Sequence, residues 1–597
     1  MDRRTMMIST AVAAAFAAGS SRVLAQAGKR SESLNALFDQ FVKENLDLSP
    51  TLVTALGLDT GTRAKQKSEI DDSSEAGIER QKKLVASQVA RLKAFDRATL
   101  SPADAVSYDV VMYGLRTNDE ANRAFTYGPG GAGQPYVISQ LTGNYQQVPV
   151  FLDNQHTIET KADADAYLAR LSAFAISMNQ EVEVARHDMG MGVTPPDFVL
   201  AKTLMQMQAL RAPAPEASSL TESVVRRTQQ KGISGDYGRQ AALLVKEKVY
   251  PALDGQIAVV RDMQKGATHA AGVSRLPKGQ EYYTASLVNW ATTAKTAAEI
   301  HRLGLEIVKE QTAQIDVLMR KLNMTQGTVG SRLNAMYKDP KLLYANTDAA
   351  KEILLADLNR RVQSIQAQLP RYFGALPKAG VLIKRVPKEV EAGSPGGHYD
   401  LPSLDGKRPG IYWINLRDTG EQPKWLLPTL TYHESIPGHH LQLSIQQEAK
   451  LPMLRKMTFY SAYAEGWALY AEQLAAEMGE YDNDPLGHIG QLHDSMMRAV
   501  RLVVDSGLHG MNWSREQSVT YFSETLGDPQ ATAVTEVERY CVWPGQACSY
   551  MLGKLTFLAQ RSKAQQRLGS NYDIRKFHDS VLLAGAVPLD VLEQINA

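Results

Sequence analysis

Thr429-Leu430-Thr431-Tyr432-His433-Glu434-Ser435-Ile436-Pro437-Gly438-His439-His440-Leu441-Gln442 is the stretch on which the reading of this chain turns. It holds three of the twelve histidines within eight residues, with a carboxylate directly after the first. Imidazole is the commonest side-chain ligand for zinc, and a neighbouring Glu is suited to take a proton from metal-activated water. Helix geometry limits which histidines can act together. At about 100° and 1.5 Å per residue, a continuous helix turns His439 away from His433 and carries His440 about 10 Å along the axis. Neither pair then reaches one ion through bonds of about 2 Å. Pro437-Gly438 is the pair that breaks such a helix, because proline removes a donor and clashes with the preceding turn, while glycine bends freely. The expectation is a helix ending near Ile436, a kink or bulge, and His439 folded back beside His433.

The zinc-peptidase signature His-Glu-x-x-His sets its histidines four apart on one helical face, and Pro437 stands in the second place here. The form found instead, His-Glu-x-x-Pro-Gly-His-x-x-Gln, resembles the DUF885 family, a gluzincin-like group expected to be zinc metallopeptidases. The likeness covers most of the mature chain. It runs through Arg408-Pro-Gly-Ile-Tyr-Trp-Ile-Asn-Leu416, Ala464-Glu-Gly-Trp-Ala-Leu-Tyr-Ala-Glu472, Arg501-Leu-Val-Val-Asp-Ser-Gly-Leu-His509 and Glu538-Arg-Tyr-Cys-Val-Trp-Pro-Gly-Gln-Ala547. The resemblance implies that His439, the histidine after Pro-Gly, is the second ligand rather than His440.

A catalytic zinc site has three protein ligands and one open position. Glu465 is the candidate third ligand, because it lies in a run of alanine and aromatic residues where a bare carboxylate is costly unless a cation meets it. The alternative for Glu465 is an ion pair with arginine. Glu472, two turns on and on nearly the same face, is a candidate partner behind the ligands; Leu469 stands where some zinc peptidases carry a supporting Asp. Glu434 is the candidate general base, taking the proton of activated water and delivering it to the leaving amine. The developing oxyanion needs a donor besides the metal, for which Tyr540 is preferred, then His509, with Arg539 also considered. The alternative for each is a packed residue lining the cleft. Arg498, Arg501 and Arg539 can meet a substrate carboxylate in a bidentate way, or can pair with Asp494, Asp505, Glu536 or Glu538.

Most of the chain reads as helices with short polar loops. Val381–Val386 and Ile411–Leu416 are β-branched and aromatic runs bounded by Pro and Gly, so they are expected strands, with Gly393–Tyr399 as a loop between them. A strand just before the zinc helix suits an extended substrate backbone, which makes Tyr412 and Asn415 candidate substrate-binding residues. A small structural sheet is the plain alternative. The expected fold is mainly α, with two helical lobes (residues 28–275 and 276–597) around a deep cleft and a small antiparallel sheet beside the zinc helix. Gly128-Pro-Gly130-Gly-Ala-Gly133 fits the dinucleotide spacing, but Pro129 and Pro135 and the lack of a βαβ pattern leave it a loop.

At 597 residues the chain exceeds one compact core. Its net charge of +1 and lack of basic runs exclude nucleic-acid binding as an expectation. Residues 1–27 read as an export signal: Arg3-Arg4 has a twin-arginine look, with Asp2 a departure from it, and Ala25-Gln26-Ala27 fits a cleavage site. The apolar run there is too short for a membrane span, so a periplasmic or secreted protein is expected. Cys541 and Cys548 are the two cysteines, with Pro544-Gly545 between them as the bend a bridge would require. No Gly-x-Ser-x-Gly elbow is present. The expectation is a zinc-dependent hydrolase of peptide or small amide bonds. A zinc amidohydrolase on a non-peptide amide and a helical binding protein with a vestigial metal site are the alternatives.

Overall fold

The computed structural model describes residues 33–388, 391, 396–402 and 408–595. The expected export signal and residues 393–395 of the expected loop lie outside these. The chain is mainly helical, as its periodicity implies. Helix α1 (Lys161–Gly190) opens on a reciprocal capping box between Thr160 and Asp163, and α2 (Tyr250–Gln264) packs along it. Their apolar faces, including Phe174, Leu253 and Val260, belong to a core cluster drawn wholly from residues 138–263. A larger cluster extends from Val110 to Leu592 and encloses the residues of interest.

The second cluster is organised by long helices. Helix α3 (Ala297–Lys321), opened by a Thr296–Glu299 capping box, precedes a three-stranded sheet of β1 (Val381–Arg385), β2 (Gly397–Asp400) and β3 (Gly410–Ile414). After it come α4 (Leu427–Glu434), α5 (His439–Glu448), α6 (Ser461–Glu477), α7 (Pro485–Gly510), α8 (Gln530–Val542) and α9 (Ser549–Leu568). Helix α3 lies along α7, and α6 along α9. The second pair approaches so closely that a Cβ at Gly466 would stand 2.4 Å from Gly553 Cα, and one at Gly553 would stand 1.9 Å from the Ala462 carbonyl oxygen. Two glycines thus seat the Glu465 helix against α9.

The sheet corrects one expectation: it is mixed, not antiparallel. Its order is β1-β3-β2, with β1 parallel to β3 and β2 antiparallel to it. Residues 386–409 between β1 and β3 are long enough for a parallel crossing, and β2 takes the antiparallel side of β3. His398 and Tyr399, expected in a loop, form part of β2 opposite Trp413 and Tyr412. The His398 and Trp413 rings stack, and Trp413 Nε1 donates to Asp400 at 2.7 Å. Such cross-strand aromatic pairing holds a strand that lacks β-branched residues.

Cys541 and Cys548 are free buried thiols: Cys541 donates to the Val537 carbonyl, and Cys548 faces the Asp505 carboxylate. The glycines at 128–133 form a loop whose Gly133 carbonyl accepts from Trp290 Nε1 at 3.3 Å. Among the described residues, no helix is long and apolar enough to cross a membrane.

Candidate metal centre

Helix α4 ends at Glu434, two residues before the expected stop, and α5 begins at His439. The corner between them is held from several sides. His440 N–H donates to the Ser435 carbonyl at 3.0 Å, and Trp467 Nε1 on α6 donates to the Pro437 carbonyl at 2.9 Å. Gly438 admits no side chain, because a Cβ there would stand 2.0 Å from the His433 carbonyl oxygen and 2.4 Å from that of Tyr432. The chain folds back, and the His433 and His439 rings meet edge to face with centroids 4.7 Å apart.

Helix α6 crosses this corner and brings Glu465 to both rings. Its Oε2 lies 3.5 Å from His433 Nε2 and 3.4 Å from His439 Nε2. One ligand atom from each of the three residues lies within 4.8 Å of the other two. Ligand atoms about 2 Å from a shared tetrahedral centre are separated by about 3.3 Å, so the spacing fits one ion better than direct hydrogen bonds. Two imidazoles and one carboxylate are also a donor set that catalytic zinc sites use. Burial works against a charged His433, but Glu465 and Glu472 outweigh it and raise its affinity for positive charge well above the ordinary range. Burial likewise opposes the Glu465 carboxylate, and His439 and His433 override it, holding its pKa far below the usual value.

Behind the ligands, His433 Nδ1 stands 2.7 Å from Oε1 of the fully buried Glu472, whose Oε2 accepts from the Thr429 hydroxyl at 3.0 Å. A carboxylate in that place keeps the proton on Nδ1 and turns the Nε2 lone pair towards the centre. His439 Nδ1 is buried with no partner. His440 points elsewhere, with Nδ1 against the Tyr399 hydroxyl at 2.8 Å and Nε2 against the Ala379 carbonyl at 3.0 Å.

The other expected site residues divide. Glu434 is buried at the end of α4, next in chain to His433. Tyr412 lies beside it: burial first, and the Glu434 charge second, push this hydroxyl well above its ordinary pKa, against the pull of the nearby Thr431 hydroxyl. Asn415 is committed to its own loop, donating to the Glu391 carbonyl at 2.7 Å and accepting from Arg417 N–H at 3.0 Å. His509 Nδ1 accepts from Val273 N–H, Nε2 faces the Tyr540 carbonyl, and burial pulls its pKa down to about 4. The Tyr540 hydroxyl donates to Glu536 at 2.6 Å and accepts from Arg501 Nε at 3.2 Å. Neither His509 nor Tyr540 has an uncommitted proton. Arg498 pairs with Asp494, four residues back on α7, and Arg539 with Glu536.

Sequence reasoning passed over Trp467, Gln546 and Tyr550, and took Glu536 only as a possible partner of the arginines. Trp467 and Gln546 stand inside the family-like segments, but no spacing rule distinguishes them from packed neighbours.

Among curated proteins no relative matches the chain. A protein from Colwellia psychrerythraea, described as a "putative lipoprotein", has a crystal structure that superposes with a TM-score of 0.90. It is 32% identical, covering 95% of this chain and 98% of that one. A "putative lipoprotein of unknown function" from Shewanella oneidensis shares the fold at a TM-score of 0.71 and 17% identity, over 94% of this chain and 98% of that one. Residues 50–595 match the profile of a bacterial protein family of unknown function, DUF885. With corner, crossing helix and near full-length match in agreement, the chain belongs to the DUF885 family.

Proposed function

We propose that this protein is an exported zinc-dependent hydrolase that cleaves peptide amide bonds, with His433, His439 and Glu465 as ligands and Glu434 as general base. The observation that carries the proposal is the convergence of three ligand atoms within 4.8 Å. When bound there, zinc supplies Lewis acidity and brings the deprotonation of water near neutral pH. The chain's own groups do the rest. Glu472 holds the His433 proton on Nδ1. Glu434 accepts the proton of the attacking water and returns it to the amine as the C–N bond breaks. Tyr412 walls the base on the sheet side.

Two further observations support a peptide substrate and export. Strand β2 is an outer strand of the sheet, touches α4 and, among the described residues, has no strand on its free side. An extended peptide can pair with such an edge through its main chain, independently of side-chain type. Similar proteins are described as "putative lipoproteins", which supports export.

Glu434→Gln tests the reading. Peptide hydrolysis should fall at least about 100-fold while zinc stoichiometry and melting temperature stay unchanged. Undiminished hydrolysis in this variant, or a purified protein that takes up no zinc, would overturn it.

A further inference from the structure

A second charged group spans the helices packed around α6. It joins Arg501 on α7, Glu536 and Arg539 on α8, and Tyr550 on α9. A single oxygen, Glu536 Oε2, receives Arg501 Nε at 3.2 Å, Arg501 Nη2 at 2.9 Å, Arg539 Nη2 at 3.1 Å and the Tyr540 hydroxyl at 2.6 Å. Two guanidinium groups thus share one carboxylate, leaving one positive charge over. Arg501 Nη1 is buried with no acceptor at all. A guanidinium N–H left unmet in a low-dielectric interior is costly, and an arriving anion relieves that cost. The group is not sealed: the Arg539 and Glu536 side chains keep 17% and 21% of their exposure, and Tyr550 is half-buried with its ring 4.6 Å from the Arg501 guanidinium carbon.

Gln546 joins the group to α6, the helix that carries Glu465. Its Oε1 accepts from Arg539 Nη1 at 2.5 Å, and its Nε2 donates to Ser461 Oγ at 3.4 Å. Ser461 precedes Glu465 by one turn on the same face of α6, about 6 Å along the axis. An extended peptide advances about 3.4 Å per residue, so an anion held here lies only a few residues from a carbonyl at the metal centre.

We propose that Arg501 and Arg539 form a carboxylate subsite that takes the substrate's own C-terminal carboxylate, so that the protein trims short pieces from the carboxyl end of peptides. This rests on the hydrolase reading above. In each turnover the amide C–N bond breaks and a C–O bond to the water oxygen forms. One water proton passes through Glu434 to the released amine, and the second reaches the amine as the new carboxyl group ionises. The remaining peptide carries a new terminal carboxylate and can occupy the subsite in its turn. An acidic side chain offers the same chemistry, and the test separates the two.

The test is equilibrium binding by fluorescence anisotropy to zinc-loaded Glu434→Gln protein. The probes are labelled hexapeptide pools free of Asp and Glu, ending in a free acid or an amide, and a third amide-ended pool with one internal Asp. The free-acid pool should bind about 30-fold more tightly than the amide pool. Arg539→Gln should bring the two within about threefold in protein that still takes up zinc, and Arg501→Met gives a second, independent loss. Equal binding of acid and amide, or binding of neither, overturns the subsite. Tight binding of the internal-Asp pool, matching the free acid, overturns its assignment to the chain terminus. Absence of hydrolysis by the unmutated zinc-loaded protein, with the free-acid preference intact, overturns the hydrolase reading alone.

Discussion

His433 Nδ1 and Glu472 Oε1 stand 2.7 Å apart in the interior, and this contact determines which ring nitrogen faces Glu465 and His439. The two residues come from α4 and α6, so the contact also ties the metal corner to the helix that crosses it.

Replacing Glu472 tests that role. Glu472→Leu should weaken zinc binding about 10- to 100-fold in chelator competition, whereas Glu472→Gln, whose amide oxygen still accepts from Nδ1–H, should lose far less. Equal affinities in the two variants would remove Glu472 from the centre.

The corner depends on one missing methyl group. Gly438→Ala puts a Cβ against two carbonyl oxygens of α4, and backbone cannot yield as a flexible side chain can. The expected outcome is a loss of about 2–4 kcal/mol in denaturant unfolding, together with loss of zinc uptake. A variant of full stability and full zinc content would show that the corner is soft.

Helix seating is a separate matter. Gly553→Ala should destabilise by a comparable amount, because the new Cβ meets the Ala462 carbonyl oxygen across the α6–α9 contact. Gly190→Ala, at the end of α1 with nothing within 4 Å of the added carbon, serves as the control and should lie within about 0.5 kcal/mol of the parent. Thermal melts of the two side by side decide it.

Glu181 gives a pH dependence remote from the metal. Its buried carboxyl is pushed from 4.5 to about 8 by burial, against the hydrogen bonds from Asn144 N–H and Gln256. The folded protein therefore holds a proton that the unfolded chain releases above 4.5. This contribution favours folding at low pH and is lost progressively as pH rises from about 4.5 through about 8. Glu181→Gln should flatten that decline by about 4 kcal/mol between pH 5 and pH 8.5 in urea unfolding, since Gln256 has a free amide oxygen to turn towards the new amide. An unchanged slope would show that Glu181 is ionised in the fold.

How far each feature could be read from the chain depends on how local its cause is. The break at Pro437-Gly438 is a property of two adjacent residues, and the return of His439 to His433 follows from it. Helix starts such as Thr160 and Thr296, with an acid three residues on, are equally local. The direction of β1 is not: it depends on which side of β3 it meets, and no residue type in β1 distinguishes parallel from antiparallel pairing. His398 and Tyr399 became a strand through partners on β3 that their own segment does not announce.

The same division runs through the site. From the sequence alone came the helical class, the broken His-Glu motif and a carboxylate at 465 that an apolar run could not leave bare. Tertiary structure alone decided that Glu472 stands behind His433, that Gly466 and Gly553 bring α6 and α9 into contact, and that His509 and Tyr540 have their protons committed to Tyr540's own carbonyl and to Glu536. A helix break is encoded by neighbouring atoms in one segment, whereas a hydrogen-bond partner is chosen among all groups that packing brings within about 3 Å.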